Sequence, residues 1–163
     1  MVGPSEINVG TVVSWRGADY VIERLAALLG TAFSWRLAEL APAAGGPPAW
    51  IAVTGPEVWE AAAVYGFNDT SPLPIDADLL KSVRPAEHIT INERSFMLQR
   101  FNEATAEISR RDRPTTFDRG RLLEYADTNG RRMVIYISDR RQFAFIAEPA
   151  VASELQIYGQ PAQ

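Results

Sequence analysis

Nine arginines fall between residues 108 and 141, in stretches that read as turns: ISRRDRP, DRGR, TNGRR and SDRRQ. A guanidinium is planar and offers paired N–H donors that meet both oxygens of a carboxylate or phosphate together. Only five acids share the stretch. If these turns converge at one end of a meander, Arg110, Arg111, Arg113, Arg119, Arg121, Arg131 and Arg132 form a basic rim. Such a rim suits an acidic protein, anionic lipid headgroups or RNA. The plainer reading of the same residues is a set of solvated turns carrying scattered charge.

Other chemistry is poorly supplied. There is no cysteine, which excludes thiolate catalysis, disulfides and cysteine-type zinc sites. His88 is the sole histidine, so neither a serine triad nor a multi-histidine metal site can be assembled in the usual way. It lies in HITIN opposite Ile89 and Ile91 and is expected to be exposed. Paired carboxylates occur at Glu57 and Glu60, Asp76 and Asp78, and Glu124 and Asp127; acid–base work would need burial to raise one of each pair. Their settings favour structural roles. Asp76 and Asp78 suit a helix start, Glu57 and Glu60 a solvated side, and Glu124 and Asp127 fall on opposite faces of a strand, with Asp127 leading into the TNG turn. AAGGPP and TNGRR lack the spacing and the following lysine of a phosphate loop. Tryptophans 15, 35, 50 and 59 could stack bases or ligands, although strand tryptophans among alternating apolar residues usually belong to a core. Trp35, between Phe33 and Leu37, reads as core; Trp59 is the candidate exposed aromatic. No catalytic residue, metal or cofactor is expected.

Elements that could position these residues are short and alternating. INVGTVVSW, YVIERLAAL, AFSWRLAEL and WIAVTG each alternate or run apolar over strand length, and GPEVWEAAAVYG reads as a further strand or a short helix. After residue 86 come HITIN, SFMLQRF, ATAEISR, RLLEYAD, RMVIYIS and FAFIAE. TNG predicts a hairpin between the strands on either side of it, and SDRRQ the next turn. Residues 66–86 are polar and proline-bearing, with Asp76 placed to cap a two-turn helix ending before Pro85. The expected fold is therefore all-β: two related antiparallel β-meander halves, residues 1–65 and 87–163, joined by a 66–86 linker with a short helix. They would pack as a sandwich or a pair of partly open barrels in one compact unit. An internal duplication would set AFSWRLAEL against RLLEYAD and AWIAV against MVIYI, with Trp35 answering to Tyr125.

A chain of 163 residues that is 47% hydrophobic can bury a core without help. No apolar stretch reaches the roughly 20 residues that span a bilayer. MVGPSEINVG has no basic-then-apolar leader, so a cytoplasmic location is expected. Asn68-Asp69-Thr70 fits the glycosylation pattern but reads as a polar loop. Net charge is −4, which argues against wholesale nucleic-acid binding. It is unevenly spread: three arginines face nine acids in residues 1–80, and thirteen basic groups face eleven acids after that.

The order of landmarks resembles domain-of-unknown-function family 4178. Gly10 and Val12, Tyr20-Val21-Ile22, the tryptophan strand from Trp35 to Leu40 and Trp50-Ile51 look like its first half. Phe96 and Leu98, Ala104 and Ala106, Glu124-Tyr125 with Asp127, and Glu154 through Tyr158-Gly159 look like its second. Arg36, Leu37 and Ala38 stand where members often carry an acidic–aromatic pair. The resemblance implies a bacterial, mainly β protein without assigned activity, an accessory of envelope-stress or polyamine-related systems near the membrane.

The function expected is that of a non-enzymatic module binding a protein partner, with an anionic membrane surface or a second copy of the chain as further partners. A pocket for a polyamine-like cation between the halves, or a single-stranded nucleic-acid site, are the alternatives; nucleic acid is disfavoured by the charge.

Overall fold

Two tight hairpins with left-handed turns begin the two halves of the chain. Strand β1 (Val12–Trp15) turns through Arg16 and Gly17, at φ 51° and 84°, into β2 (Ala18–Gly30). Strand β6 (His88–Ile91) turns through Asn92 and Glu93, at φ 51° and 67°, into β7 (Arg94–Arg110). Two consecutive positive φ values match the right-handed twist of paired strands, which is why such a turn forms even where a glycine is missing. The other strands are β3 (Ser34–Pro42), β4 (Ala49–Thr54), β5 (Glu57–Tyr65), β8 (Arg113–Ala126), β9 (Arg132–Ile137), β10 (Gln142–Pro149) and β11 (Leu155–Gly159). The structure is a computed structural model describing residues 3–67, 70–76 and 78–159.

Strands β2-β3-β4-β5-β10-β9-β8-β7 pair in that order and β7 returns to β2, closing an eight-stranded antiparallel barrel. Four of its strands precede residue 66 and four follow residue 86. The expected sandwich or pair of open barrels is thus replaced by one closed sheet. The cause is register: β2 meets β7 from Arg24↔Arg110 to Gly30↔Ala104, and β5 meets β10, so the meanders pair edge to edge. Closure leaves neither meander with a long unpaired edge at these junctions. The segments SFMLQRF and ATAEISR, expected as separate strands, are one 17-residue strand, β7.

Both long strands bend at a register shift, between Ile22 and Arg24 in β2 and between Leu98 and Arg100 in β7. Such irregularities turn a strand's direction. Beyond them the first parts of β2 and β7 carry β1 and β6 as short extra strands, and β11 adds to β1. The linker supplies only one helical turn, Asp78–Lys81, in place of the expected two, with Asp76 Oδ1 accepting the Asp78 N–H at 3.0 Å. Asn68 and Asp69 of the glycosylation-type triplet lie outside the described residues. Among the described residues no helix is long and apolar enough to cross a membrane.

Three cores result. All eight barrel strands contribute to one, which is therefore the interior: Leu28, Trp35, Leu37, Trp59, Leu122, Tyr136, Phe143 and Phe145 are among its members. Outside the wall, Val13, Trp15 and Ile22 cover Leu40, Ile51 and Val53, while Leu80, Ile89, Ile91 and Phe96 cover Leu123, Ile135 and Ile137. Trp35 lies inside and Tyr125 outside, on opposite faces of the sheet, so the two are not matching positions. Trp15, the other SWR tryptophan, is also outside. His88 is exposed on β6, opposite the buried Ile89 and Ile91.

At Gly120 the wall of β8 approaches β9 too closely for a side chain: a Cβ would lie 2.4 Å from the Ile137 carbonyl and 2.9 Å from Tyr136. Gly120→Ala should lower stability by about 1–3 kcal/mol through overpacking, whereas Gly3→Ala, which meets nothing within 4 Å, should change it by less than about 0.5 kcal/mol. Urea midpoints that move equally for the two variants would contradict this close approach. Tyr125 tests the outer core. Its hydroxyl donates to the Ala86 carbonyl at 2.7 Å, and burial pushes its pKa up to about 12. The phenol is thus held protonated in the fold, stabilising it below the unfolded value of roughly 10, and that contribution is lost as pH rises from there towards 12. Urea midpoints followed across this interval should fall less steeply for Tyr125→Phe than for the parent protein.

Candidate functional site

An arginine–glutamate pair closes each mouth of the barrel. Just past its register shift, β2 places Arg24 opposite Glu39 of β3, and two bonds join them, Nε to Oε1 at 2.7 Å and Nη2 to Oε2 at 3.0 Å. Both side chains are nearly enclosed, at 14% and 9% exposure. Phe67 lies below the Arg24 guanidinium at 5.8 Å and meets Trp50 edge to face. A buried ion pair survives desolvation only when its geometry is good, and this one is bidentate.

The same construction recurs ten residues further along β7 from the Arg24↔Arg110 level, roughly 30 Å along the strand. Arg100 faces Glu124 of β8 and donates from Nε at 3.1 Å and Nη2 at 3.0 Å. Here the carboxylate is shared. Trp35 Nε1 also donates to Glu124 Oε1 at 2.7 Å, and Arg132 Nε lies 3.8 Å from Oε2. Arg100 sits 4.1 Å over Phe33, and Arg132 sits 5.6 Å over Trp59. Trp35 packs edge-on against both Trp59 and Phe145. Trp59, expected as an exposed aromatic, is only 8% exposed because it faces inward from β5. Its Nε1 and the Asn102 Nδ2 are buried without a hydrogen-bond partner among the described residues.

The seven arginines of the expected rim do not gather at one place. Arg110, Arg111 and Arg113 share the tip where β7 turns into β8, with Arg111 Nη1 3.7 Å from Glu23. Arg131 and Arg132 lie beyond the opposite end of β8. Arg131 is bound to Glu148 at 2.8 Å and lies 3.7 Å from Asp127, and Arg132 belongs to the Glu124 cluster. Arg121 is engaged by the linker, donating to the carbonyls of Ser82 at 2.6 Å and Leu80 at 3.4 Å. Arg119 is exposed and makes no ion pair among the described residues. Near the tip, Tyr136 donates to Asp118 Oδ2 at 2.7 Å. Burial works to raise the Asp118 carboxyl, but hydrogen bonds from Ser138 and Tyr136 and the nearby Arg141 and Arg140 outweigh it, so its pKa is lowered.

Among the other carboxylates, Asp127 takes a turn role, accepting from the backbone of Asn129 and Arg131 at 2.9 and 2.8 Å. A groove of about 390 Å³ beside Trp15, Tyr20 and Trp50 also contains Glu60, an aromatic-and-acid setting of the kind a cation prefers. The chain fills that role itself: Arg16 lies 4.6 Å over Trp15 and is paired to both Glu60 and Glu154. Glu154 is correspondingly lowered, first by its bond from Arg16. Among the described residues no three His, Cys, Asp or Glu side chains are grouped to hold a metal ion.

Arg24, Glu39 and Arg100 were not singled out by sequence, although one signal was present. RLAEL at residues 36–40 and RLLEY at 121–125 share an arginine, a leucine and a glutamate at the same spacing, and each glutamate answers an arginine on the preceding strand. No family model, curated protein or solved structure matches the chain.

The two mouths differ in how their arginine responds to loss of its partner. Glu39→Leu would strand an enclosed guanidinium at a cost of about 3–5 kcal/mol. Arg100 is 47% exposed and can turn to water, so Glu124→Leu should cost about 1–3 kcal/mol, chiefly through the orphaned Trp35 N–H. Denaturant titration should therefore rank Glu39→Leu as the more damaging change; the reverse ranking would contradict solvent escape by Arg100.

Proposed function

We propose that this chain is a non-enzymatic interaction module of the cytoplasm that meets a protein partner through the β7–β8 arm. The observation that carries the reading is an unpaired edge. β9 accompanies β8 only from Arg121 to Ala126, while β8 continues to Arg113, so residues 113–120 have β7 on one side and, among the described residues, no strand on the other. An open edge is a template for pairing. Around it are the exposed Arg110, Arg113 and Arg119, and Phe117 at 66% exposure. The interior, by contrast, is occupied by side chains, and the charged groups at both mouths answer one another.

The reading includes an internal duplication and membership of family 4178. Three features recur at one spacing, from 16 to 92, 22 to 98 and 24 to 100, which is 76 positions each time: the left-handed turn, the register shift and the mouth arginine. The expected alignment of AWIAV with MVIYI agrees with the registers that set Trp50 against Glu39 and Val134 against Glu124. The landmarks Trp35 and Glu124 are bonded to each other, which gives two of the resemblance's scattered positions one structural reason.

Capture from lysate of the native host, followed by mass spectrometry, tests the arm. With Arg110, Arg111 and Arg113 changed together to Glu and the fold checked by thermal melting, at least one partner held by the parent protein should be depleted about tenfold or more, the loss expected for a desolvated charge contact. An unchanged set of captured proteins would overturn the reading.

A further inference from the structure

Across the top of the barrel, paired positions form a row: Trp50 of β4, Glu39 of β3, Arg24 of β2, Arg110 of β7 and Arg113 of β8. Residues directly opposite on neighbouring strands share a face, and like charges placed so repel. The row contains three guanidiniums and one carboxylate, and Glu39 is committed to Arg24. Arg110 and Arg113 thus stand side by side at the open edge of the sheet, joined by the turn through Arg111 and Asp112, and neither is in an ion pair among the described residues.

The other end of that edge carries two uncommitted cations beside two acids. Where β9 leaves β8, a cavity of about 240 Å³ opens, lined by Lys81, Arg119, Gly120, Arg121, Ser138 and Asp139 among others; Glu103 also borders it. Arg121 is spent on linker carbonyls, leaving Lys81 and Arg119 to face the space. A strand laid along residues 113–120 would continue the lane of β9, roughly 25 Å in length. One end would lie beside Arg113 and the other would enter this cavity. Pro114 offers no N–H, so backbone pairing begins at Thr115.

We propose that the β8 edge from Thr115 to Gly120 takes an extended peptide segment of a partner protein as an added strand, with carboxylates at both ends of the segment answering Arg110 and Arg113 at one end and Lys81 and Arg119 at the other. This rests on the reading of the arm as the interaction surface. Main-chain pairing supplies affinity, and the two basic ends select an acidic partner. Phe117, outward-facing and exposed, offers apolar area beside the lane. A second copy of β8 fits poorly there, because it would bring its own Arg113 and Arg119 to an edge already rich in arginine.

The test uses the full-length protein and three synthetic octapeptides, acetylated and amidated, alternating valine and threonine between their ends. One has glutamate at both ends, one has lysine at both ends, and one keeps the glutamates but carries N-methylated alternate amides. Fluorescence anisotropy should show the glutamate peptide binding at least about tenfold tighter than the lysine peptide, with the difference shrinking as salt rises. N-methylation should abolish binding, and Arg110→Glu with Arg113→Glu, which reverses one end and leaves Lys81 and Arg119 at the other, should erase the preference. Amide NMR signals of residues 115–120 should shift most. Equal binding of the first two peptides, no binding of any, or shifts centred elsewhere would overturn the proposal. Loss of host-protein capture in the triple arginine variant would then leave the arm reading standing. Binding of phosphatidylserine vesicles in place of the peptides, lost in the same variant, would overturn the proposal in favour of a lipid surface.

Discussion

Everything in this fold depends on the contact between β2 and β7, because it closes into a wall the sheet that β5 and β10 have joined. Seven register pairs, Arg24↔Arg110 through Gly30↔Ala104, join strands some 80 positions apart in the chain. Small residues make that contact possible on the inner face: Ala26, Ala104 and Ala106 lie against the larger Leu28, Trp35 and Phe145 within one core. Alternation of small and large residues is what lets a narrow barrel fill without voids. The loop-closure entropy of such a distant pairing has to be met before its burial is gained, so closure is expected to be a late event in folding.

From closure follows the placement of charge. Eight strands enclose an interior just wide enough for side chains, and its two mouths are where an inward-facing position is nearest to water. An arginine there can keep part of its guanidinium hydrated while its stem packs over aromatics. Arg100 over Phe33 does this, whereas Arg24 over Phe67 is nearly enclosed, and each is tied to a glutamate on the neighbouring strand. Glu124 goes further, linking Arg100, Arg132 and the Trp35 indole, so a strand from each half of the chain is anchored at one carboxylate.

Much of this was legible in the sequence, because alternation and turn chemistry are local. The TNG hairpin and HITIN announce strands that formed, and INVGTVVSW does so in its last four residues, Val12–Trp15, since the chain turns at Val9 and Gly10 before them. What failed was long-range. No local pattern states that β2 will find β7, so the choice between one barrel and two was open. Trp59 shows the same limit: EVWEAAAVY carries glutamates and alanines around the tryptophan, and the alternation does not say which face turns inward. Of the stretches read as arginine turns, DRGR lies within strand β8, and TNGRR and ISRRDRP, which do hold turns, occupy opposite ends of that single 14-residue strand. Since successive turns of a meander alternate between ends, arginines from consecutive turns cannot all meet.

The two hairpins that end the closing strands differ in one respect that bears on function. The β2–β3 hairpin ends early, and Asn102 of β7 accepts hydrogen bonds from the backbone of Ala32 at 2.8 Å and Phe33 at 3.1 Å, sealing it. The β7–β8 hairpin continues past the end of β9 and exposes every residue from Arg110 to Phe117. β7 stays paired with β2 as far as Arg110, so this extension leaves only β8 unaccompanied on its outer side, from Arg113 to Gly120. The extension also sets Arg110 between Arg24 and Arg113, an arrangement that repels. Arg110 and Arg113 therefore stand as paired like charges on a strand pair whose outer edge, from Arg113 to Gly120, has no neighbouring strand among the described residues.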